Sequence, residues 1–512
     1  MPKISKPFVR FIAIRAIMAL LLFMTLAAWA MSSALGSTND EDFILTSIWC
    51  GTSESIGATP YCQPDSNRPG FMIVPGLVAK PGACLHVSVT GNVGSAACQE
   101  GLRNEVFSTD RYDKSGYPKT YPDVMRNFVS ADVEKSVVQM RLFNSLLAAL
   151  ILILAFSINL RRSNDLILTW LIVITPVATF HLGSVHNSSW TFTGMTCFVF
   201  AFMSVLKKRK VPRIWIPTSL VALFGVWLTI SSRPEGEYVL IFLAIVVLIS
   251  EFPLKGLKLS KKSLLIAGAT LTIATFTYQT ATWWGRVNIF NDQRFVPEKE
   301  FPHTANDLLL NNFLRLPSFL FSLFGTWGQN FPASLSSGLD PTIWLFSVLP
   351  TVLLMIFAIQ KSHNFHRIIF SSAFLIVVLY LLYANQASLY EVNNEIHPRY
   401  FLPMFIGLII IAANHKKDRY SNSLVISVAL MSTISNSLAI RDSIRRYVTG
   451  QDVYSTKSLN RGREWWWQFG PEPETVWLIG TLAFAGLFAV LIYERRNEEI
   501  QIQQSPTAEL VN

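Results

Sequence analysis

Charged residues are scarce in this chain of 512 residues. Asp, Glu, Lys and Arg together make up 15%, where a soluble globular protein carries roughly 25%. That deficit excludes the row of soluble domains that the length alone would suggest. Cysteine is scarce too, with five in all and no Cys-x-x-Cys, which speaks against a metal site built on thiolates. The chain has no internal repeat of the kind that marks many transporters. Acids and bases are nearly absent from the middle of its apolar runs, unlike the pathway of a channel or an ion-coupled carrier.

What is abundant is apolar sequence. Hydrophobic residues reach 51% and the mean hydropathy is +0.36. A helix that crosses a bilayer takes about 20 mostly apolar residues. The basic stretch Lys3 to Arg15 precedes an apolar run to Leu35. This run is long for a cleaved signal, and Ala28-Trp29-Ala30 is a weak cleavage site, so it reads as a retained first helix. Further spans read at 139–160, 166–183, 190–206, 212–230, 238–254, 264–281, 342–360, 367–385, 400–414, 421–440 and 476–493. The expectation is an all-α integral membrane protein of about twelve helices. The stretch 305–327, with Arg315 and Pro317, makes a poor span and reads as a re-entrant or interfacial helix.

The formal charge of +10 lies in short clusters such as Lys207-Lys208-Arg209-Lys210 and Arg495-Arg496. These clusters follow every second span, which is the positive-inside pattern. The pattern predicts cytoplasmic termini and a bilayer, not nucleic acid, as the partner. The segments are then 1–35, the cytoplasmic N-terminus and first helix; 36–138, an extracytoplasmic loop domain; and 139–281, helices 2 to 7. An extracytoplasmic loop follows at 282–341, then helices 8 to 12 over 342–493 with outer loops 386–399 and 441–475, and a cytoplasmic tail at 494–512. The bulk on one side places the function on the outer face.

Cys50, Cys62, Cys84 and Cys98 all fall in the first outer loop. An even set on the non-cytoplasmic side predicts two disulfides, and proximity favours 50–62 and 84–98 among the three pairings. Cys197, inside a span, reads as an inert core residue.

Several outer-face residues carry chemistry. Asn39-Asp40-Glu41-Asp42 stands just beyond the first helix. It reads either as acids complementing a helix N-terminus or as a general base at the bilayer surface, with Asp40 and Glu41 the candidates. Arg233-Pro234-Glu235-Gly236-Glu237 forms a tight outer turn, either a surface ion pair of Arg233 with Glu235 or a phosphate clamp. His181 and His186 read as polar lining of a membrane-level cavity. His397, Arg399 and Tyr400 precede the tenth helix, where an arginine and a tyrosine read either as interfacial anchors or as groups that bind a lipid phosphate and a sugar hydroxyl. The run Trp465-Trp466-Trp467 reads as an interfacial aromatic belt in preference to a sugar-stacking surface. No metal ligand set or cofactor motif is present, although a divalent metal is compatible with the acidic run.

Three stretches carry a resemblance. They are Asp40-Glu41-Asp42-Phe43, the run from Leu316-Pro317-Ser318-Phe319 through Phe324-Gly325-Thr326-Trp327-Gly328 to Leu339-Asp340-Pro341, and Pro398-Arg399-Tyr400-Phe401-Leu402-Pro403. Together with the Asn187-Ser188-Ser189 turn, they resemble a bacterial family of predicted polytopic membrane proteins, itself similar to the GT-C class of glycosyltransferases. The resemblance implies a GT-C-like fold in the bacterial cytoplasmic membrane. It also implies transfer of a sugar from a polyprenyl-phosphate carrier to a cell-envelope glycan acceptor, with Asp40 or Glu41 as the base. From charge and side, Arg233 and Arg399 would hold the donor phosphate. Two departures from the family stand out: Ile44 lies where a histidine often follows the acidic pair, and Trp190-Thr191-Phe192 replaces Gly-Leu-Glu after the turn. A flippase of lipid-linked glycans and a non-catalytic assembly scaffold are the alternative functions.

Overall fold

The computed structural model describes residues 6–51, 57–82, 85, 94–114, 116–158, 163–208, 212–252, 305–325, 339–387, 390–392, 396–450 and 458–504. The span expected at 264–281, most of the loop 282–341 and Cys84 lie outside the described residues.

The chain is largely helical. Helix α1 (Lys6–Met31) leads into a loop domain that holds α2 (Glu41–Cys50), α3 (Gly76–Ala79), α4 (Thr120–Arg126) and three short strands. The strands, β1 (Gln63–Pro64), β2 (Met72–Pro75) and β3 (Val106–Thr109), pair antiparallel in the order β1-β2-β3, with Met72 opposite Thr109 and Pro75 opposite Val106. Next come α5 (Val133–Ile158), α6 (Ser163–Val173), α7 (Pro176–Leu182), α8 (Ser188–Lys208), α9 (Pro212–Ile230) and α10 (Gly236–Glu251). The rest is α11 (Ala305–Ser322), α12 (Pro341–Gln360), α13 (Asn364–Ala387), a 3-10 turn (Pro398–Tyr400), α14 (Leu402–Asn414), α15 (Asn422–Val448) and α16 (Pro473–Gln504).

Among the described residues, seven helices are long and apolar enough to cross a membrane, or eight if the bent pair α6–α7 counts as one span. The stretch read as a continuous span over 166–183 is broken, with a bend of 96°. Pro176 is the cause, since it supplies no N–H to the preceding turn. The described apolar part of α9, Trp215–Ile230, and α14 are apolar but shorter. Where helices pack closely, small residues permit it. A Cβ added to Gly194 in α8 would lie 2.5 Å from the Gly225 carbonyl oxygen in α9, so only glycine allows this approach.

The loop domain is fixed to the helical body by buried polar contacts. The Gln99 amide donates to the carbonyls of Leu35 and Pro81 at 2.6 and 2.7 Å. Arg446, in the last turn of α15, donates to Gly94 and Leu85 carbonyls at 2.7 Å each. The three consecutive tryptophans are buried rather than arrayed as a belt. Trp467 Nε1 donates to the Met31 carbonyl at 2.9 Å and Trp466 Nε1 to the Pro471 carbonyl at 2.9 Å, so the run packs the C-terminal loop against the end of α1. At the opposite end of the bundle, buried Asp165 bridges Lys416 and Arg495, joining α6 to α16 and to the turn between α14 and α15.

Cys50 and Cys62 form the expected disulfide, tying the end of α2 to the segment before β1. Cys98 is disulfide-bonded as well. Cys197 is a buried free thiol.

Candidate functional site

The site begins with how α1 ends. Its last carbonyls have no helical donors, and Arg141 of α5 donates to one of them and to two carbonyls just beyond the helix. Arg141 Nη1 donates to the Ala30 and Ser33 carbonyls at 3.1 and 2.7 Å, and Nη2 donates to the Ala34 carbonyl at 2.9 Å. The same Nη2 meets Glu41 Oε1 at 3.0 Å, in a pair whose side chains are 1% and 0% exposed. Glu41 Oε2 in turn accepts from the Thr38 N–H at 3.3 Å. Glu41 is therefore committed to joining α1, α2 and α5.

That anchor sets the position of Asp40. It is the one non-glycine residue with positive φ among the described residues, at φ 61° and ψ 16°. Asp tolerates the left-handed region better than most residues. It occupies the N-cap of α2, where an aspartate normally accepts from the helix's own N–H groups, yet its side chain makes no capping bond. The carboxylate points elsewhere. Oδ2 lies 3.3 Å from Arg399 Nη2 and Oδ1 lies 3.3 Å from Arg111 Nη2, with the Asp40 side chain half-exposed. Arg111, which follows β3, is held in turn by Asp42, through Nε at 2.5 Å and Nη2 at 3.2 Å.

Arg399, in the 3-10 turn before α14, is buried. Its guanidinium lies 5.1 Å from the Tyr400 ring centroid, and Arg233 approaches the same ring at 4.6 Å, so one aromatic ring meets two cations. Arg233 sits in the turn between α9 and α10. Its Nη1 donates to Ser188 Oγ at 2.9 Å and its Nε stands 2.5 Å from Glu235 Oε1. Arg233 is buried, which sets this pair apart from an exposed surface bridge. Tyr117 of the loop domain is placed by Asp113, whose carboxylate accepts the N–H groups of Gly116 and Tyr117 at 2.7 and 3.1 Å. Burial pushes the Tyr117 phenol up, with Arg233, Tyr400, Glu235 and Asp40 among the groups it senses.

Histidines complete the cluster. The rings of His181 and His186 lie 5.1 Å apart, and His397 lies 5.7 Å from the Tyr400 ring. His186, in the turn before α8, accepts the Ser188 N–H on Nδ1 at 3.0 Å, so a neutral ring carries its proton on Nε2. Burial holds His186 and His397 well below the ordinary imidazole value. The nearby cations Arg399 and Arg233 act in the same direction.

The cluster pairs three guanidiniums with three carboxylates, yet hydrogen-bonding capacity remains open. Among the described residues, Arg399 Nε and Nη1, both ring nitrogens of His181, His397 Nδ1, Asn187 Oδ1 and Glu235 Oε2 are buried without a hydrogen-bond partner. Buried polar atoms rarely stay unpaired. Donors and acceptors concentrated in this way match a ligand that carries both an anion and hydroxyls. Among the described residues, no group of three or more His, Cys, Asp or Glu is arranged to hold a metal ion.

Of the residues singled out in the sequence, Asp40, Arg233, Glu235, His397, Arg399 and Tyr400 come together here. His181, His186 and the Asn187–Ser188 turn join them. Glu41 lies beside the cluster in its own buried pair. Cys50, Cys62 and Cys98 belong to the frame of the loop domain. Arg111 and Tyr117 carry no sequence signal. They lie in an irregular stretch of the loop domain, and only the pairing of β3 with β2 and the Asp113 turn deliver them to the site.

The class is thus a multi-spanning helical membrane protein whose loop domain closes over a polar cluster at one end of the bundle. The chain belongs to the family described as predicted membrane protein (DUF2142), whose model matches residues 22–408. The matched region contains the whole cluster. No curated protein and no solved structure matches the chain.

Proposed function

We propose that the protein is a GT-C-like glycosyltransferase. In this reading it moves a sugar from a polyprenyl-phosphate donor to a glycan acceptor of the cell envelope, at the outer face of a bacterial cytoplasmic membrane. About twelve spans and cytoplasmic termini belong to the same reading. The observation that carries it is the disposition of Asp40, an N-cap aspartate that leaves its helix uncapped and turns a half-exposed carboxylate toward buried Arg399. Both Asp40 contacts, at 3.3 Å, are longer than the roughly 2.7–2.9 Å of a tight charge-assisted bond, so the carboxylate is aligned without being consumed.

In the reaction, Asp40 takes the proton of the acceptor hydroxyl as its oxygen attacks the anomeric carbon. The bond from that carbon to the phosphate oxygen breaks, and its electron pair leaves with the phosphate. Arg399, with Arg233 beside it, balances the charge that grows on the leaving phosphate. Attack from the face opposite the leaving group inverts the anomeric centre. Asn187 Oδ1 and Glu235 Oε2 supply acceptors for sugar hydroxyls.

Carriage of a lipid-linked glycan across the membrane is the second reading, and the broken α6–α7 span is the feature that favours it. One experiment separates the two. Asp40→Asn is introduced in a deletion background, protein level and insertion are matched to the parent, and envelope glycan composition is measured. Transfer predicts loss of one specific sugar with normal protein levels. Full complementation by Asp40→Asn removes Asp40 as the base and moves the weight to transport.

A further inference from the structure

The break between α6 and α7 has a chemical consequence. Pro176 has no N–H, so the Ile172 carbonyl loses its helical donor; Thr351 Oγ1 of α12, which bonds the Ser347 carbonyl of its own helix at 2.9 Å, lies within reach of it at 3.3 Å. Beside the break lies a small, partly open cavity with room for about one water molecule. Its lining includes Ile172, Ile174, Pro176, Ser432, Ser435 and Asn436, with no acid or base.

Two of these side chains, each more than nine-tenths buried, present unpartnered polar atoms: Ser432 Oγ and Asn436 Nδ2. The orientation of the Asn436 amide is fixed by its neighbour. Trp29 Nε1, which can only donate, gives its hydrogen to Asn436 Oδ1 at 2.9 Å, which leaves Nδ2 as the unpaired atom. Ser435 Oγ donates to the Ile343 carbonyl at 2.8 Å and so keeps lone pairs to offer.

We propose that this cavity is a binding site for one persistently held water molecule, which accepts from Asn436 Nδ2, exchanges a hydrogen bond with Ser432 Oγ and donates to Ser435 Oγ. Three partners suit a buried water. An amide N–H aimed at the cavity disfavours a cation, and the absence of a lining base disfavours an anion. All three partners lie on α15, and the same pocket is lined by Ile172, Ile174 and Pro176 at the break. This inference does not depend on the proposed reaction.

The test is a density map of the full chain in a lipid nanodisc, at a resolution where buried waters elsewhere in the protein are visible. The expected result is one rounded peak within hydrogen-bond distance of Ser432 Oγ and Asn436 Nδ2. In Ser432→Val, whose side chain takes the space and offers no hydrogen bond, that peak disappears and the melting temperature falls. An empty cavity in the parent map, or elongated density continuous with the surrounding lipid, overturns the proposal. If Ser432→Val does not fold, the parent map alone decides.

Discussion

The Asp40 carboxylate and the Arg399 guanidinium, 359 positions apart in sequence, stand 3.3 Å from one another. One is half-exposed and the other buried. A helix start just beyond α1 and a 3-10 turn before α14 therefore share one site. The neighbouring acid, Glu41, is held by Arg141 and has no exposure left. Two adjacent carboxylates thus have different duties, set by which side of the α2 start each one faces.

That difference predicts opposite phenotypes. Glu41→Gln leaves the buried Arg141 cation without its partner, a change that typically costs about 3–5 kcal/mol. The expected outcome is less folded protein and a lowered melting temperature. Asp40→Asn removes a charge from a half-exposed site and keeps an oxygen that accepts from Arg399 and Arg111, so it is expected to lower protein level and melting less than Glu41→Gln does while abolishing function. Quantified membrane levels, thermal melts and glycan composition for both variants check this. Equal losses of protein in the two would refute the division.

The backbone at Asp40 makes a second prediction. A β-carbon in the left-handed region costs roughly 1–2 kcal/mol, and glycine avoids that cost. Asp40→Gly is expected to recover part of the stability lost with the Arg399 and Arg111 pairs and to be inactive. Asp40→Ala, which loses the same ion pairs but keeps the strain, is expected to melt below Asp40→Gly. Melting curves of the purified pair decide it, and the reverse order contradicts the geometry.

Much of this site was legible in the sequence because charge on a predicted outer turn is unusual enough to mark. Arg233, Arg399, Tyr400 and Asp40 stood out on those grounds, and they meet. The division between Asp40 and Glu41 was not legible, since it depends on Arg141, a residue inside a span whose partner the periodicity cannot name. Arg111 and Tyr117 were invisible for the same reason: strand pairing and an Asp113 turn bring them in. The tryptophan run looked like a membrane belt because composition does not reveal that the C-terminal loop folds back onto Met31. The broken span was marked by Pro176, but the apolar residues around it masked the break.

The frame of the loop domain gives a third prediction. The Cys50–Cys62 bond closes a short loop, with a sequence separation of 12, next to the helix that presents Asp40. Losing such a bond typically costs about 2–4 kcal/mol. Cys50→Ser is expected to lower the melting temperature and to expose the loop domain to limited proteolysis while the spans stay protected. Identical cleavage patterns with and without the bond would show that the frame does not rely on it.

Anion binding tests Arg399 directly. Its Nε and Nη1 are buried without a hydrogen-bond partner among the described residues, and a bound phosphate would satisfy them. Inorganic phosphate or pyrophosphate is expected to raise the melting temperature of the parent, since a ligand that binds only the folded state stabilises it. The increment is expected to vanish in Arg399→Gln. Lysine offers a point charge without the planar fork, so Arg399→Lys is expected to recover only part of it. An undiminished shift in Arg399→Gln would place the anion elsewhere.

The histidines supply a pH test. His186 and His397, both outside the spans, are held well below the ordinary imidazole value by burial and by the arginines beside them. The unfolded chain therefore binds more protons than the folded one at pH values below about 6.5. Stability then rises with pH through that range, so this contribution is present in full above the unfolded value and is lost on acidification. Melting temperature is expected to be flat between about pH 7 and 8 and to fall as the pH drops from about 6.5 to 5. The double variant His186→Asn, His397→Asn is expected to show a shallower fall over the same interval, because two of the groups that must be kept neutral are gone. Parallel curves for parent and variant would assign the acid sensitivity to other groups, such as the carboxylates of the ion pairs.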